Sequence, residues 1–339
     1  KTARDVRAYD PQNQSAALIE SGALMGSGQF GPSREALQRL LAANPSSQDA
    51  HFQMGLLNMS EGKYKEAEAS YRRCYDLNPS NSRGLMGMVE LYMIQKQPDR
   101  ALLLLREEMQ KFPTRLELRL ALANVLVRDQ KYSQAITEFN GLLDKVDRKS
   151  TAAADLYVRL GEAQRRAGDT QAGIDSLKKA RDLMPNSAMV MNTLALMLDA
   201  AGQKKEAKAM YEGALRIESE NAIALNNLAY IIAESPGGDL DQALTFAQRA
   251  KQKLPQVEEI ADTLGWIYLK KNLSDNAIEI FRSNVTKQPK HPTFRYHLGM
   301  ALYQKGDKLK AKQELQQALA SNPSKEEETN IKELIAKIG

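Results

Sequence analysis

Three histidines, His51, His291 and His297, and one cysteine, Cys74, are the side chains of this 339-residue chain best suited to metal or nucleophilic chemistry. Their spacing argues against both. His291 and His297 are six residues apart, which on a helix places them on different faces. A lone cysteine can form neither an intrachain disulfide nor a Cys-based zinc site, and Cys74 falls in a small-residue slot, where a thiol is buried and inert. No HExxH, Walker-type loop or GxSxG occurs, and no GxGxxG lies in the strand-to-helix setting that would give it meaning. Carboxylates are numerous, as on any solvated helical surface. No catalytic residue, metal ligand or cofactor is expected, and the chain is read as not being an enzyme.

The remaining chemistry is recognition. Asn192, Asn226 and Asn227 carry amides that can both donate to and accept from an extended peptide backbone. Tyr230, Trp266, Tyr296, Met300 and Tyr303 offer apolar area, and Asp262 lies among them. Arg165 and Arg166, with Arg128 and Arg159, form the strongest basic cluster and could receive an acidic partner segment. Glu162 and Asp155 stand between them, however, which favours a self-neutralised surface.

Composition limits the partner class. Forty-seven basic and 42 acidic residues leave a net charge of only +5, and 42% of residues are hydrophobic. This is a folded chain with a mixed surface, and the basic residues show no interleaved aromatic platform for nucleic acid. No run approaches the ~18 apolar residues of a membrane span. The chain begins at Lys1 and not at methionine, as expected of a processed or partial chain, and one thiol does not identify a compartment.

The elements that position these residues follow from a period. Pro45, Pro79 and Pro113 are 34 apart, and Pro255, Pro289 and Pro323 repeat that spacing. Small residues keep the same beat through Ala67, Ala101, Ala135, Gly173, Ala207, Ala243, Ala277 and Ala311, with steps of 34 except for a 38 and a 36. Each unit predicts two helices. In the last full one, Arg295, Leu298, Gly299 and Leu302 recur on one helical face, Gly306 ends that helix, and Leu309, Ala311, Leu315 and Leu319 make a second stripe. Strand alternation is absent. Four extra residues fall in Asp144–Asp155 and lengthen a join, and two more make a Pro-Gly-Gly turn within Ala233–Asp241.

With Leu264-Gly265, Tyr268, Ala277, Phe281 and Pro289 in order, and Met54-Gly55, Ala67, Tyr71 and Pro79 repeating them, the units resemble tetratricopeptide repeats. No unit has Trp in the first aromatic slot; Trp266 instead follows Leu-Gly. The resemblance implies an all-α, right-handed superhelical solenoid of antiparallel helix pairs. Residues 1–47 are read as an N-terminal segment with a degenerate first repeat, 48–323 as eight units, and 324–339 as a capping helix with Ser324 and Glu327 at capping-box spacing.

The same resemblance implies that the open face of each first helix lines an inner, concave surface. On a helical wheel the face opposite Leu264 and Gly265 carries Glu259, Asp262, Trp266 and Leu269. Its counterparts are Met189, Asn192, Leu196 and Asp199, then Ile223, Asn226, Tyr230 and Ala233, then Thr293, Tyr296, Met300 and Tyr303. An apolar series there reads as a groove for a protein or peptide partner. Residues 224–271 are similar to bacterial tetratricopeptide proteins of envelope and exopolysaccharide export, which favours a periplasmic or membrane-associated scaffold. The other reading is a substrate-gathering domain of a larger enzyme, such as a glycosyltransferase.

Overall fold

The computed structural model describes residues 13–339. The described residues form nineteen helices and no strand. They divide into two compact units, one ending at Lys145 and one running from Val146 to Gly339. In the first, α1 (Gln14–Gly26), α3 (Gln48–Ser60), α5 (Arg83–Ile94) and α7 (Leu116–Arg128) each pair with the helix that follows. Those partners are α2 (Phe30–Ala43), α4 (Tyr64–Leu77), α6 (Pro98–Lys111) and α8 (Tyr132–Leu143). In the second unit the first helices are α9 (Thr151–Arg166), α11 (Ala188–Ala200), α13 (Ala222–Glu234), α15 (Glu258–Lys270) and α17 (Pro292–Lys305). Their partners are α10 (Thr170–Leu183), α12 (Lys204–Ile217), α14 (Leu240–Lys253), α16 (Ser274–Lys287) and α18 (Lys308–Leu319), and α19 (Lys325–Ile338) ends the chain. Each unit is thus an all-α solenoid of helix pairs. The degenerate first repeat corresponds to α1 and α2, and residues 1–12 of its segment lie outside the described residues.

Local chemistry explains where the helices begin and stop. Ser47, Ser150, Ser187 and Asn221 each accept a hydrogen bond from the backbone N–H three residues on, opening α3, α9, α11 and α13. Such a cap contributes about 1 kcal/mol. The turn between the helices of a pair needs a left-handed residue, and Gly62, Gly202 and Gly306 supply it with φ of 73°, 76° and 94°. Lys96, Gln130 and Asn272 hold the same turn position in other pairs at φ of 56–59°, where a Cβ costs about 1–2 kcal/mol.

Packing within a pair depends on the Leu-Gly motif. A Cβ at Gly265 would stand 2.6 Å from the Phe281 ring, and one at Gly55 would stand 2.4 Å from Tyr71. Phe281 and Tyr71 are fully buried, as are Ala67, Ala101, Ala135, Ala207, Ala243, Ala277 and Ala311. The two extra residues near Pro236 form the α13–α14 turn. There only glycine fits at Gly238, where a Cβ would lie 1.9 Å from the Ile232 carbonyl oxygen.

At the C-terminal end both halves of the capping box form between Ser324 and Glu327. Ile331 is buried, and Leu334, Ile335 and Ile338 pack around Leu315 and Ala318. This helix covers the apolar edge that the last full pair would otherwise expose.

Two substitutions test these packing and turn arguments. Gln130→Gly removes the left-handed strain at some entropic cost, and should raise stability by up to about 1 kcal/mol. Gly265→Val should lower it by about 1–3 kcal/mol through overpacking against Phe281. Thermal and urea unfolding followed by circular dichroism report both; equal midpoints for Gly265→Val and the parent protein would refute the close-approach account.

Candidate functional site

The second unit has a side on which its first helices meet. α13 packs on α15, α15 on α17, and α17 on α19, whereas among the described residues no second helix packs comparably on the next second helix. Rods that touch along only one side of a row must curve toward that side. The first helices therefore line the narrower, concave side of this stretch.

One column of residues runs across it. Leu196, Tyr230, Trp266 and Met300 follow at steps of 34, 36 and 34, each the ninth residue of its first helix, and Leu334 on α19 comes 34 residues later. Leu196 and Tyr230 are 47% and 40% exposed, and the parallel pair Met189 and Ile223 are 59% and 47% exposed. These are large apolar side chains left facing water on one side of two consecutive helices. Tyr230 borders a cavity of about 360 Å³ with Ile231, Glu234, Pro236 and Lys204. Met300 and Tyr303 are half-buried and border another of about 310 Å³ with Leu269, Gln304, Leu334 and Lys337. The 34-residue step from Met300 to Leu334 would have extended the column into the capping helix on sequence alone.

Trp266 lies between these hollows and is held in place. Its indole Nε1 donates to Glu234 Oε1 at 2.7 Å, and Lys270 Nζ lies 5.0 Å from the centre of its ring while pairing with Glu234 at 2.9 Å. The other ring contact is the His297 imidazole, with centroids 4.8 Å apart. His297 also lies 5.4 Å from the Phe281 ring and 5.7 Å from Tyr296. Its Nδ1 is 2.9 Å from Asp262 Oδ2, and a carboxylate can only accept, so Nδ1 carries the proton. The expectation of an open tryptophan anchor thus needs refinement: the ring is half-buried and its N–H is already used. Neither His297 nor Glu234 was expected beside Trp266 from the sequence, although Glu234 lies one turn after Tyr230 on the same helix.

The amides divide. Asn192, expected on the open face, is 6% exposed, and this is a correction. Its Nδ2 donates to Oδ1 of Asn221, the N-cap of α13, at 2.9 Å, so it ties one first helix to the start of the next. Leu269 is likewise only 5% exposed, covered in the seam between α15 and α17. A wheel treats a helix as isolated, and neighbouring helices cover the edges of its open face. Asn226 and Asn227 are half-buried and bond to each other at 3.3 Å. Tyr296 is half-buried against the α18–α19 cluster.

Arg165 and Arg166 stand apart from the aromatic column, at the end of α9. Both donate to Glu162, Arg165 through Nη2 at 2.8 Å and Arg166 through Nε at 2.6 Å. Glu162 is one 34-residue step before Leu196, so the column ends in a carboxylate between two guanidiniums. The Arg165 hydrogen bond, opposed by burial and aided by Arg166, pulls the Glu162 carboxyl down to about 2.

Comparison with known proteins adds the family evidence. A family model described as "Tetratricopeptide repeat" matches residues 22–82, 192–258 and 263–326. Two more of the same description match 58–107 and 92–160, and 155–187. Type IV pilus assembly protein PilF of Pseudomonas aeruginosa is 26% identical over 171 residues, 50% of this chain and 67% of that protein. Cellulose synthase operon protein C of Pseudomonas fluorescens is 26% identical over 80% of this chain, which spans only 25% of that longer protein. Among solved structures, the APC/C hetero-tetramer Cut9-Hcn1 superposes with a TM-score of 0.57 at 14% identity, covering 96% of this chain and 63% of that one. A tetratricopeptide repeat protein from Parabacteroides merdae gives 0.55 at 14% identity, covering 75% and 97%. At such identities the structural likeness speaks for the fold alone.

The Glu162 cluster makes a titration testable. A carboxyl whose pKa is lowered on folding contributes stability in full above its unfolded value. That contribution is lost as pH falls from the ordinary carboxylate range, near 4.5, through about 2. Carbon-detected NMR titration should find Glu162 ionised down to that lower value, and Arg165→Gln should shift its midpoint upward. A midpoint in the ordinary range in the parent protein would sink the assignment.

Proposed function

The chain belongs to the tetratricopeptide repeat family, and we propose that it is a non-catalytic scaffold whose inner face holds a segment of a protein partner. The observation that carries this is the exposed apolar set Met189, Leu196, Ile223 and Tyr230 on one side of two consecutive first helices, α11 and α13. A contiguous apolar patch of this kind on a folded surface marks an interaction site. Tyr230 brings a large ring with few rotatable bonds, the sort of side chain that supplies binding energy at low entropic cost. Trp266, Tyr296, Met300 and Tyr303 extend the apolar floor. Asn226, Asn227 and Asp262 bring polar groups along its length, while Asn192 acts structurally between α11 and α13. Arg165 and Arg166, already engaged by Glu162, border the groove.

Relatives named for type IV pilus assembly and for a cellulose synthase operon support a place in a bacterial envelope or exopolysaccharide export system. They also favour the periplasm or a membrane-associated position. Among the described residues no helix is long and apolar enough to cross a membrane. A second reading, a substrate-gathering module of a larger enzyme, draws on the 25% span of the cellulose-operon relative; the complete reading frame separates the two.

Displayed-peptide selection on the purified protein tests the groove. Leu196→Ala combined with Tyr230→Ala should weaken the selected peptides by about 2 kcal/mol or more, as loss of interface anchors does. The melting temperature should change little, because both side chains are substantially exposed. Undiminished binding to the double variant would overturn the assignment.

A further inference from the structure

Over α11–α15 the first and second helices of this unit differ in charge. On their open faces α11, α13 and α15 carry four carboxylates, Asp199, Glu234, Glu259 and Asp262, against the single cation Lys270, while Glu258 turns to α16 and pairs with Lys287 at 2.9 Å. The second helices α12 and α14 carry seven Lys or Arg against three carboxylates, and of these Lys204 reaches round to Asp199 beside the Tyr230 cavity. The mild positive charge of the whole chain thus conceals a stretch of inner face with the opposite sign.

Pairing offsets part of this: Lys204 meets Asp199 at 2.6 Å, Lys270 meets Glu234 at 2.9 Å, and the His297 imidazole meets Asp262 at 2.9 Å. Glu259 and, at the start of α19, Glu326 remain exposed. The Tyr230 hydroxyl responds to the field at the middle of the column. Burial raises its pKa, and Glu234, Asp199, Asp262 and Glu326 raise it further. Those four carboxylates come from α13, α11, α15 and α19, so their effects converge on the open space in front of Tyr230. Tyr296, next along the face, is shifted the same way by burial and then by Glu327 and Glu333. At the other end α9 closes with Arg165 and Arg166, which share the carboxylate of Glu162.

We propose that the inner face over α11, α13 and α15 is built for a cationic, apolar polypeptide segment, one whose bulky hydrophobic residues are interleaved with Lys or Arg. The inference rests on the groove reading above and adds the sign of the partner. Apolar side chains would cover Leu196, Ile223 and Tyr230, and the flanking cations would approach Glu259, Glu326 and the rim carboxylates. An acidic segment, or a nucleic-acid backbone, would meet repulsion at the same positions. Charges on an open face are screened by salt over a distance of about 8 Å at physiological ionic strength, so recognition of this kind weakens as salt rises.

The test uses two synthetic peptides sharing one set of Leu and Phe residues, with Lys at the interleaved positions of one and Glu at those of the other. Trp266 fluorescence and calorimetry report binding. The Lys peptide should bind more tightly than the Glu peptide, and its affinity should fall with added salt. Glu259→Lys with Glu326→Lys should weaken the Lys peptide roughly tenfold. Glu279→Lys, an exposed site on α16, should leave it unchanged, which separates the groove from general attraction to an acidic surface. Tyr230→Ala should weaken binding of both peptides. Equal affinity for the two peptides, or no response to the inner-face reversal while Tyr230→Ala still weakens binding, would overturn the charge inference and leave the groove standing. Equal weakening by Glu279→Lys would overturn it too. Binding of either peptide that is indifferent to Tyr230→Ala, or no binding of either, would overturn both.

Discussion

The tightest constraint between the two helices of a pair is the approach of a glycine on the first helix to a ring on its partner helix. Gly265 faces Phe281 and Gly55 faces Tyr71 with no room for a methyl group. That contact sets how near the two helices of a pair lie. It also explains the recurring alanines, because the second helix must be smooth where it meets both its own partner and the next pair. A single pair held this way still exposes the far side of its second helix, so each pair depends on its neighbour for burial. At the C-terminal end the dependence stops at α19, whose outer face is polar.

What remains open on each first helix is what this packing does not consume. One edge of that face is used by the following first helix, and the polar residues on that edge become connectors. Asn192 reaches the cap of α13, Asp262 reaches His297 on α17, and Thr293 reaches Glu327 on α19 at 2.6 Å. Only the centre of the face stays available, and there Leu196, Tyr230, Trp266 and Met300 follow one another. This open strip is therefore a remainder of the packing scheme. Its apolar floor and polar seams have the same cause, the stacking of first helices on one another.

The family alone does not determine a partner. Proteins of very different names share the fold at 14% identity, so the fold by itself does not name what is bound. In this chain the side chains left on the inner face combine apolar area with negative charge along α11–α15 and give way to a neutralised arginine pair on α9. The pairing of Glu162 with Arg165 and Arg166 shows that the basic cluster is satisfied internally, whereas the aromatic column still presents apolar surface to solvent.

The helix pairs and their period were legible from the amino-acid sequence, because they rest on local rules. Side-chain caps, left-handed turn residues and small-against-large spacing act over a few residues or at a fixed offset, so they leave a regular trace. The Pro-Gly-Gly turn and the capping box at Ser324 were legible for the same reason. The fate of individual inner-face residues was not. Asn192 and Trp266 lie on the same wheel face, yet one is buried in a seam and the other is half-buried against His297, some 31 residues further along the chain. Nothing local to α11 or α15 encodes that difference; it depends on how closely the next first helix approaches. The convergence of Asp199, Glu234, Asp262 and Glu326 on one hydroxyl is of the same kind. Electrostatic interaction follows distance through space, and the stacking of pairs brings together charges that the chain holds up to 127 residues apart.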